Sequence, residues 1–246
     1  MRPVKRPVRR AAVFDLDNTL VRGSTLFHFG IDLVRRRRLP ARHVARYAVA
    51  EAAYVIRRSE PTGVAADAAA RALGLVAGAR QDDVLALAER FARVRLDRHL
   101  RPDVCAELNR FRAAGYLTVV ATASPQELAS VVSARIGAHL AVGTVSETVD
   151  GRYTGRLDGP VVHGPAKAAR VAEVLAEHGA ERHSAWAFSD SVNDLPLLTL
   201  VGNPVAVYAD RELSAIAHFN GWRTMGPHLH SEEALARLQV MHPFPY

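Results

Sequence analysis

Apolar positions recur along this chain with two different periods. Short runs of strand length, "AAVF" at 11–14, "YLTVVAT" at 116–122, "SAWAF" at 184–188 and "PVAVY" at 204–208, alternate with helical segments near 102–114, 125–136, 165–178 and 194–200. Continuous apolar runs separated by helices predict a parallel sheet with crossover helices, an α/β core. Between about 26 and 100 the period is helical: Val44, Ala48, Ala52, Val55 and Ile56 share one face, as do Val84, Leu87, Ala88, Phe91 and Val94. Punctuation near Pro40, Pro61-Thr-Gly63 and Gly78 divides this block into about four helices. The predicted organisation is a core of residues 10–25 and 100–246, a helical insert at 26–99 and a basic tail at 1–9. Residues 141–163, with Asp150-Gly151 between "TVSETV" and "RYTGRL", predict an added β-hairpin.

At 246 residues and 49% apolar, the chain can bury a sizeable core. The most apolar helical stretch, "ARYAVAEAAYVI", is broken by Arg46 and Glu51, so no membrane span is expected. After the basic start "MRPVKRPVRR" only "AAVF" precedes Asp15, too short for a signal-peptide apolar region, and a cytoplasmic location is expected. The single cysteine, Cys105, reads as a small buried apolar residue. The net charge of +7 is unevenly spread: residues 1–10 carry +5 and residues 26–100 carry +6, leaving −4 for the rest. The excess, including Arg35 to Arg38, reads as solvated helix surface, and nucleic acid is not the expected partner. Lysine occurs only at Lys5 and Lys167 in a chain that otherwise uses arginine.

Three of the strand runs end in groups suited to phosphate chemistry: Asp15-Leu-Asp17-Asn-Thr19, Thr122-Ala-Ser124, and Ser189-Asp190-Ser-Val-Asn193-Asp194. Ligands of a parallel sheet collect at these carboxyl ends. Crowded carboxylates repel until one takes a proton, or until a hard divalent ion with oxygen ligands neutralises them. Magnesium suits a site that keeps waters and shares a phosphate. In a regular strand Asp15 and Asp17 would sit about 6.6 Å apart, and Asn18-Thr19 suits a turn there if both carboxylates are to serve one ligand.

"DLDNT", Thr122, Lys167 and "SDSVND" are similar, in order and spacing, to the four motifs of the haloacid dehalogenase-like phosphohydrolases. "VFDLDNTLVRG" and "FSDSVNDLPLL" resemble most the branch with the phosphoserine phosphatases. The resemblance spans roughly 10–210 and implies a Rossmann-like parallel-sheet core with an inserted all-helical C1 cap. It implies a magnesium-dependent phosphomonoesterase acting on a small phosphorylated metabolite. Asp15 would be the nucleophile that forms an aspartyl-phosphate, and Asp17 the general acid and base. Thr122 would bond the phosphoryl oxygen and Lys167 would supply a point charge. Magnesium would be held by Asp15, the Asp17 carbonyl and Asp190, with Asp194 acting through water. Asn18 and Asn193 would orient neighbouring groups, and Arg22, Ser24 and His28 are candidate substrate contacts. Two positions depart from the phosphoserine branch. Ser24 stands where a glutamate generally lies nine residues beyond the nucleophile, and Thr122-Ala-Ser-Pro replaces a serine followed by two glycines. Phosphoserine is therefore one candidate ester among several.

Asp150, Asp158 and Asp210 sit beside turn residues and read as structural. Ser124-Pro125 reads mainly as a helix start with proline in the first helical position, and secondarily as lining the site. His228-Leu-His230 reads as a solvated loop, and "MHPFPY" as a tail or a docking segment. Two other functions fit the same residues: a phosphotransferase that passes the phosphoryl group to an alcohol, and a catalytically idle basic protein that binds nucleic acid or anionic lipid.

Overall fold

The computed structural model describes residues 10–38 and 76–226. Six strands, β1 (Ala11–Asp15), β2 (Leu117–Pro125), β3 (Leu140–Thr144), β6 (Trp186–Ser189), β7 (Asn203–Val207) and β8 (Arg223–Met225), form one parallel sheet in the order β3-β2-β1-β6-β7-β8. A separate antiparallel hairpin pairs β4 (Ser146–Val149) with β5 (Arg152–Leu157). The helices are α1 (Thr25–Arg35), α2 (Gln81–Val94), α3 (Pro102–Ala113), α4 (Gln126–Ile136), α5 (Gly164–Glu177), α6 (Leu195–Leu198) and α7 (Arg211–Phe219).

Both faces of the sheet are covered, which is why its central strands read as unbroken apolar runs. Ala11 and Val13 of β1 enter a core with Val119, Ala121, Val171 and Leu175; Ala12 and Phe14 enter the opposite one, with Leu108, Val120 and Phe188. There Phe14 stacks on Phe188 at 4.3 Å between ring centroids, with Phe111 edge-on to both. The strands leave β1 in opposite directions, towards β2 on one side and β6 on the other. The connection after β1 runs to one side and that after β6 to the other, so a switch point of the kind where ligand crevices form lies at their carboxyl ends.

The hairpin is shorter than the sequence predicts. Leu140–Thr144, whose residues 141–144 fall inside the expected hairpin, joins the main sheet beside β2 as a parallel edge strand. The apolar run passes from β3 to β4 with only Val145 between, so no turn residue marks the change of sheet. The reversal at Asp150-Gly151 is where the sequence places it, with φ of 51° and 70°, as a two-residue type I′ turn requires. Gly143 is fixed by close approach: a Cβ there would lie 2.8 Å from the Gln126 Cα and 2.9 Å from the Ser124 carbonyl.

Two helices of the block expected between 26 and 99 fall among the described residues, α1 and α2. Phe29 meets Phe91 edge-on at 5.6 Å, and Phe29, Ala88, Phe91 and Ala92 share a cluster with Leu16, Leu20 and Leu96. Val94, placed on that face by its spacing, ends α2 and is 48% exposed. The face running Val44 to Ile56, the breaks at Pro40 and Pro61-Thr-Gly63, the tail 1–9, His228-Leu-His230 and the terminal "MHPFPY" lie outside the described residues. Among the described residues no helix is long and apolar enough to cross a membrane.

Candidate active site

The end of β1 turns as the paired carboxylates require. The Leu16 carbonyl accepts from both Leu20 N–H (3.0 Å) and Val21 N–H (2.9 Å), and Asn18 adopts a left-handed φ of 60°. Asparagine tolerates that conformation, and its side chain closes the loop by accepting from Gly23 N–H at 3.1 Å. Asp15 thereby points off the strand end while Asp17 is carried sideways. One Asp17 oxygen accepts from the Thr25 N–H at 2.6 Å and the other from the Ser124 hydroxyl at 3.0 Å.

Lys167, from the first turn of α5, joins the first and last motifs. Its ammonium donates to Asp15 Oδ1 at 2.7 Å and Asp194 Oδ2 at 2.8 Å, all three side chains being buried. Asp194 Oδ2 also accepts from the Ser189 hydroxyl at 2.7 Å, whereas Asp194 Oδ1 is buried with no partner among the described residues. Asp190 accepts from the Thr19 hydroxyl at 3.1 Å. Thr122, 1% exposed, accepts from the Ser124 N–H at 3.1 Å and so keeps its hydroxyl proton to donate.

These groups are electrostatically overloaded with carboxylate. Burial pushes the Asp15 carboxyl up to about 7, with Lys167 pulling it down and Asp194 pushing it further up. Burial, then Asp15 and Asp194, hold Asp190 well above the usual carboxylate range. Burial alone would depress the Lys167 ammonium, but Asp15 and Asp194 outweigh it and hold it above the ordinary lysine range. One lysine does not neutralise this cluster, and a cation would favour the charged forms. Among the described residues no three or more His, Cys, Asp or Glu side chains are gathered as a preformed metal site. The donors present are carboxylate oxygens, the ligand type magnesium takes alongside water and phosphate. The orphaned Asp194 oxygen is a further acceptor suited to such an ion's waters.

The structure thus brings Asp15, Asp17, Thr122, Lys167, Asp190 and Asp194 to one end of the sheet. The cap role favoured for Ser124 is corrected. Pro125, not Ser124, occupies the cap position of α4, and no side chain caps that helix. The Ser124 hydroxyl turns to Asp17 instead, because β2 extends to Pro125 with an irregularity in its pairing with β3 between Ala121 and Pro125, and carries Ser124 to the strand end. Ser24 caps α1 by accepting from the Phe27 N–H at 3.3 Å. His28 bonds the Arg22 carbonyl at 2.7 Å and stacks on His99 at 3.7 Å, and the Arg22 side chain is exposed. Asn193 is exposed, with its amide directed to Ser191 at 3.2 Å. Asp210 is structural, as expected: it accepts from Leu213 N–H at the start of α7 and from Val192 N–H in the last motif. Sequence reasoning gave no role to the Thr25 N–H, the Ser189 hydroxyl or Arg101. The guanidinium of Arg101 bonds the Asn18 carbonyl at 3.1 Å and lies 3.7 Å over the Tyr208 ring.

A family model for haloacid dehalogenase-like hydrolases matches residues 12–199. The chain belongs to this hydrolase family. It is 37% identical over 214 residues to a protein of Mycobacterium tuberculosis named phosphoserine phosphatase SerB1, covering 86% of this chain and 69% of that one. A probable phosphatase of the same organism is 29% identical over 218 residues, covering 87% and 74%. Among solved structures, a Bordetella pertussis protein of unknown function aligns with a TM-score of 0.78 at 29% identity, covering 89% of this chain and 99% of that one. A phospho-aspartyl intermediate analogue of phosphoserine phosphatase aligns with a TM-score of 0.61 at 15% identity, covering 95% and 98%, a likeness of fold.

Proposed function

We propose that this member of the hydrolase family is a magnesium-dependent phosphomonoesterase that works through an aspartyl-phosphate intermediate. The observation that carries the reading is the buried Lys167 ammonium between Asp15 and Asp194 at the strand ends, beside Asp190 and Thr122. Asp15, Asp190 and the Asp17 carbonyl would hold the ion, with Asp194 acting through its waters. When bound, magnesium neutralises the carboxylates and offsets charge on the phosphoryl oxygens.

In the first half-reaction an Asp15 carboxylate oxygen attacks phosphorus, the ester P–O bond breaks, and Asp17 gives its proton to the departing alkoxide. In the second, Asp17 takes a proton from water, the water oxygen attacks phosphorus, and the acyl-phosphate bond to Asp15 breaks. Thr122 and Lys167 donate to the phosphoryl oxygens. Asn18 and Asn193 set the two loops that carry these groups, and α1 and α2 belong to a cap. The substrate is a small phosphate ester. Phosphoserine, the substrate in the name of the mycobacterial relative, is one candidate, although Ser24 is here engaged as a helix cap.

The test is phosphate release from an aryl phosphate with magnesium present. Asp15→Asn preserves shape and removes the nucleophilic charge, and is expected to abolish turnover, as is chelation. Activity that survives Asp15→Asn sinks the proposal.

A further inference from the structure

The loop that carries Asp17 is held at both peptide groups beside Asn18. The Asn18 N–H donates to the Gly23 carbonyl at 3.2 Å, and the Asn18 carbonyl accepts from Nε of Arg101 at 3.1 Å. With both peptides fixed, Asp17 before Asn18 and Thr19 after it project in set directions, one to Ser124 and the other to Asp190. Asn18 needs this restraint, because its left-handed φ of 60° is not what an unrestrained residue prefers. The Arg101 backbone N–H also donates to the Leu20 carbonyl at 2.8 Å, so one residue grips the turn at two points. Arg101 is itself held. Its guanidinium lies 3.7 Å over the Tyr208 ring, within reach of a cation–π contact. That ring is anchored in turn: its hydroxyl donates to Asp103 at 2.9 Å, and a Cβ at Gly226 would come within 2.7 Å of its Cδ1. Tyr208 adopts a φ of 47°, which a bulky residue keeps only where its surroundings impose it. Two residues on, the Asp210 N–H donates to the Asp190 carbonyl at 2.7 Å. The segment 208–210 therefore meets the first motif through Arg101 and the last through Asp210.

We propose that Arg101 is a positioning residue for Asp17, fixing the first motif loop against the Tyr208 ring so that the Asp17 carboxyl meets the departing oxygen. It acts through the Asn18 peptide rather than on the substrate. The guanidinium suits the task because it stacks by its face while donating along its edge. The inference rests on the phosphomonoesterase reading, because the direction of the Asp17 carboxyl matters to the rate only if that group transfers a proton.

The experiment compares kcat and KM for an alkyl and an aryl phosphate, with magnesium present, in the wild type and Arg101→Ala, each checked as folded by circular dichroism. Alkyl leaving groups need the Asp17 proton far more than aryl ones, and kcat/KM reports the half-reaction that breaks the ester bond. Arg101→Ala is expected to lower kcat/KM about tenfold for the alkyl ester through kcat, with KM unchanged, and less than about twofold for the aryl ester. Ethylguanidinium supplies the atoms that the truncation removes and is expected to restore most of the alkyl rate, which a merely structural role would not predict. Tyr208→Leu takes away the platform and is expected to give the same ester-selective loss, with the double variant no slower than either single one. It carries the test if Arg101→Ala does not fold. Equal loss for both esters, no loss, or an alkyl loss that ethylguanidinium leaves in place overturns the inference. If the wild type releases no Asp15-dependent phosphate from either ester, the phosphatase reading falls and this inference with it. Release that Arg101→Ala leaves unchanged removes the inference alone.

Discussion

Asp17 is oriented by one backbone donor and one side-chain donor, and the second is deleted by a simple side-chain truncation. Ser124→Ala removes it. If Asp17 protonates the leaving group, the variant slows alkyl esters about tenfold, a fraction of what general acid catalysis supplies. Aryl esters, whose leaving groups need no proton, are much less affected. Equal slowing of both classes in steady-state kinetics would assign Ser124 to phosphate binding instead. A second residue-scale outcome concerns Cys105. Burial, with Asp103 and Asp97 adding to it, pushes its thiol up to about 11. At pH 8 roughly 0.1% is then thiolate, against about a quarter for an ordinary thiol. Alkylation by iodoacetamide, followed by mass spectrometry, is expected to run about two orders of magnitude slower than for a free thiol. A rate near that of free cysteine would contradict the burial.

At the scale of elements, Asp210 links two pieces of the site's frame, capping α7 with one oxygen and holding the Val192 N–H with the other. Asp210→Ala is expected to destabilise the fold by about 1–2 kcal/mol and to weaken magnesium binding, because the loop carrying Asp190 and Asp194 loses an anchor. A thermal melt and a magnesium titration measure the two effects, and a stability loss with unchanged magnesium affinity would confine Asp210 to capping. The elements legible in the sequence are those whose pattern has one cause. β1, β2, β6 and β7 are interior strands covered on both faces and so mainly apolar, while β3 and the three-residue β8 are edge strands too short or too continuous with their neighbours to stand out. The side chains of the site were legible for a related reason: Asp15, Asp17, Lys167, Asp190 and Asp194 are charges at ends of apolar elements, where charge needs an explanation. What holds them was not. A backbone N–H such as that of Thr25 can come from any residue, and Ser124 before Pro125 gives the same signal whether it caps a helix or turns to a carboxylate.

On the scale of the whole molecule, the carboxylate cluster couples folding to pH and metal. The Asp15 carboxyl keeps its proton up to about 7 when folded and releases it near 3.8 when unfolded. Between those values the folded state holds more protons, so at this site the metal-free protein loses stability as pH rises from about 4 to 7. Magnesium favours the charged form, so it is expected to raise the melting temperature more at pH 8 than at pH 5.5. Asp190→Asn, which removes one of the crowded charges, is expected to leave the metal-free melting temperature unchanged or higher while reducing the magnesium increment. Scanning calorimetry at the two pH values decides the matter; an increment that ignores pH or survives Asp190→Asn would place the ion elsewhere.

The strand order also sets a timetable for biosynthesis. β1 is central in space and early in sequence: Thr19 bonds Asp190, 171 residues further along the chain. At about 5–20 residues per second, the ribosome takes roughly 9 to 34 s to deliver that partner. Until β6 emerges, β1 has an open edge and Phe14 lacks the Phe188 ring it stacks on. A nascent chain stalled before residue 186 therefore presents an unsatisfied apolar strand, which makes this interval the one in which the protein most needs a chaperone.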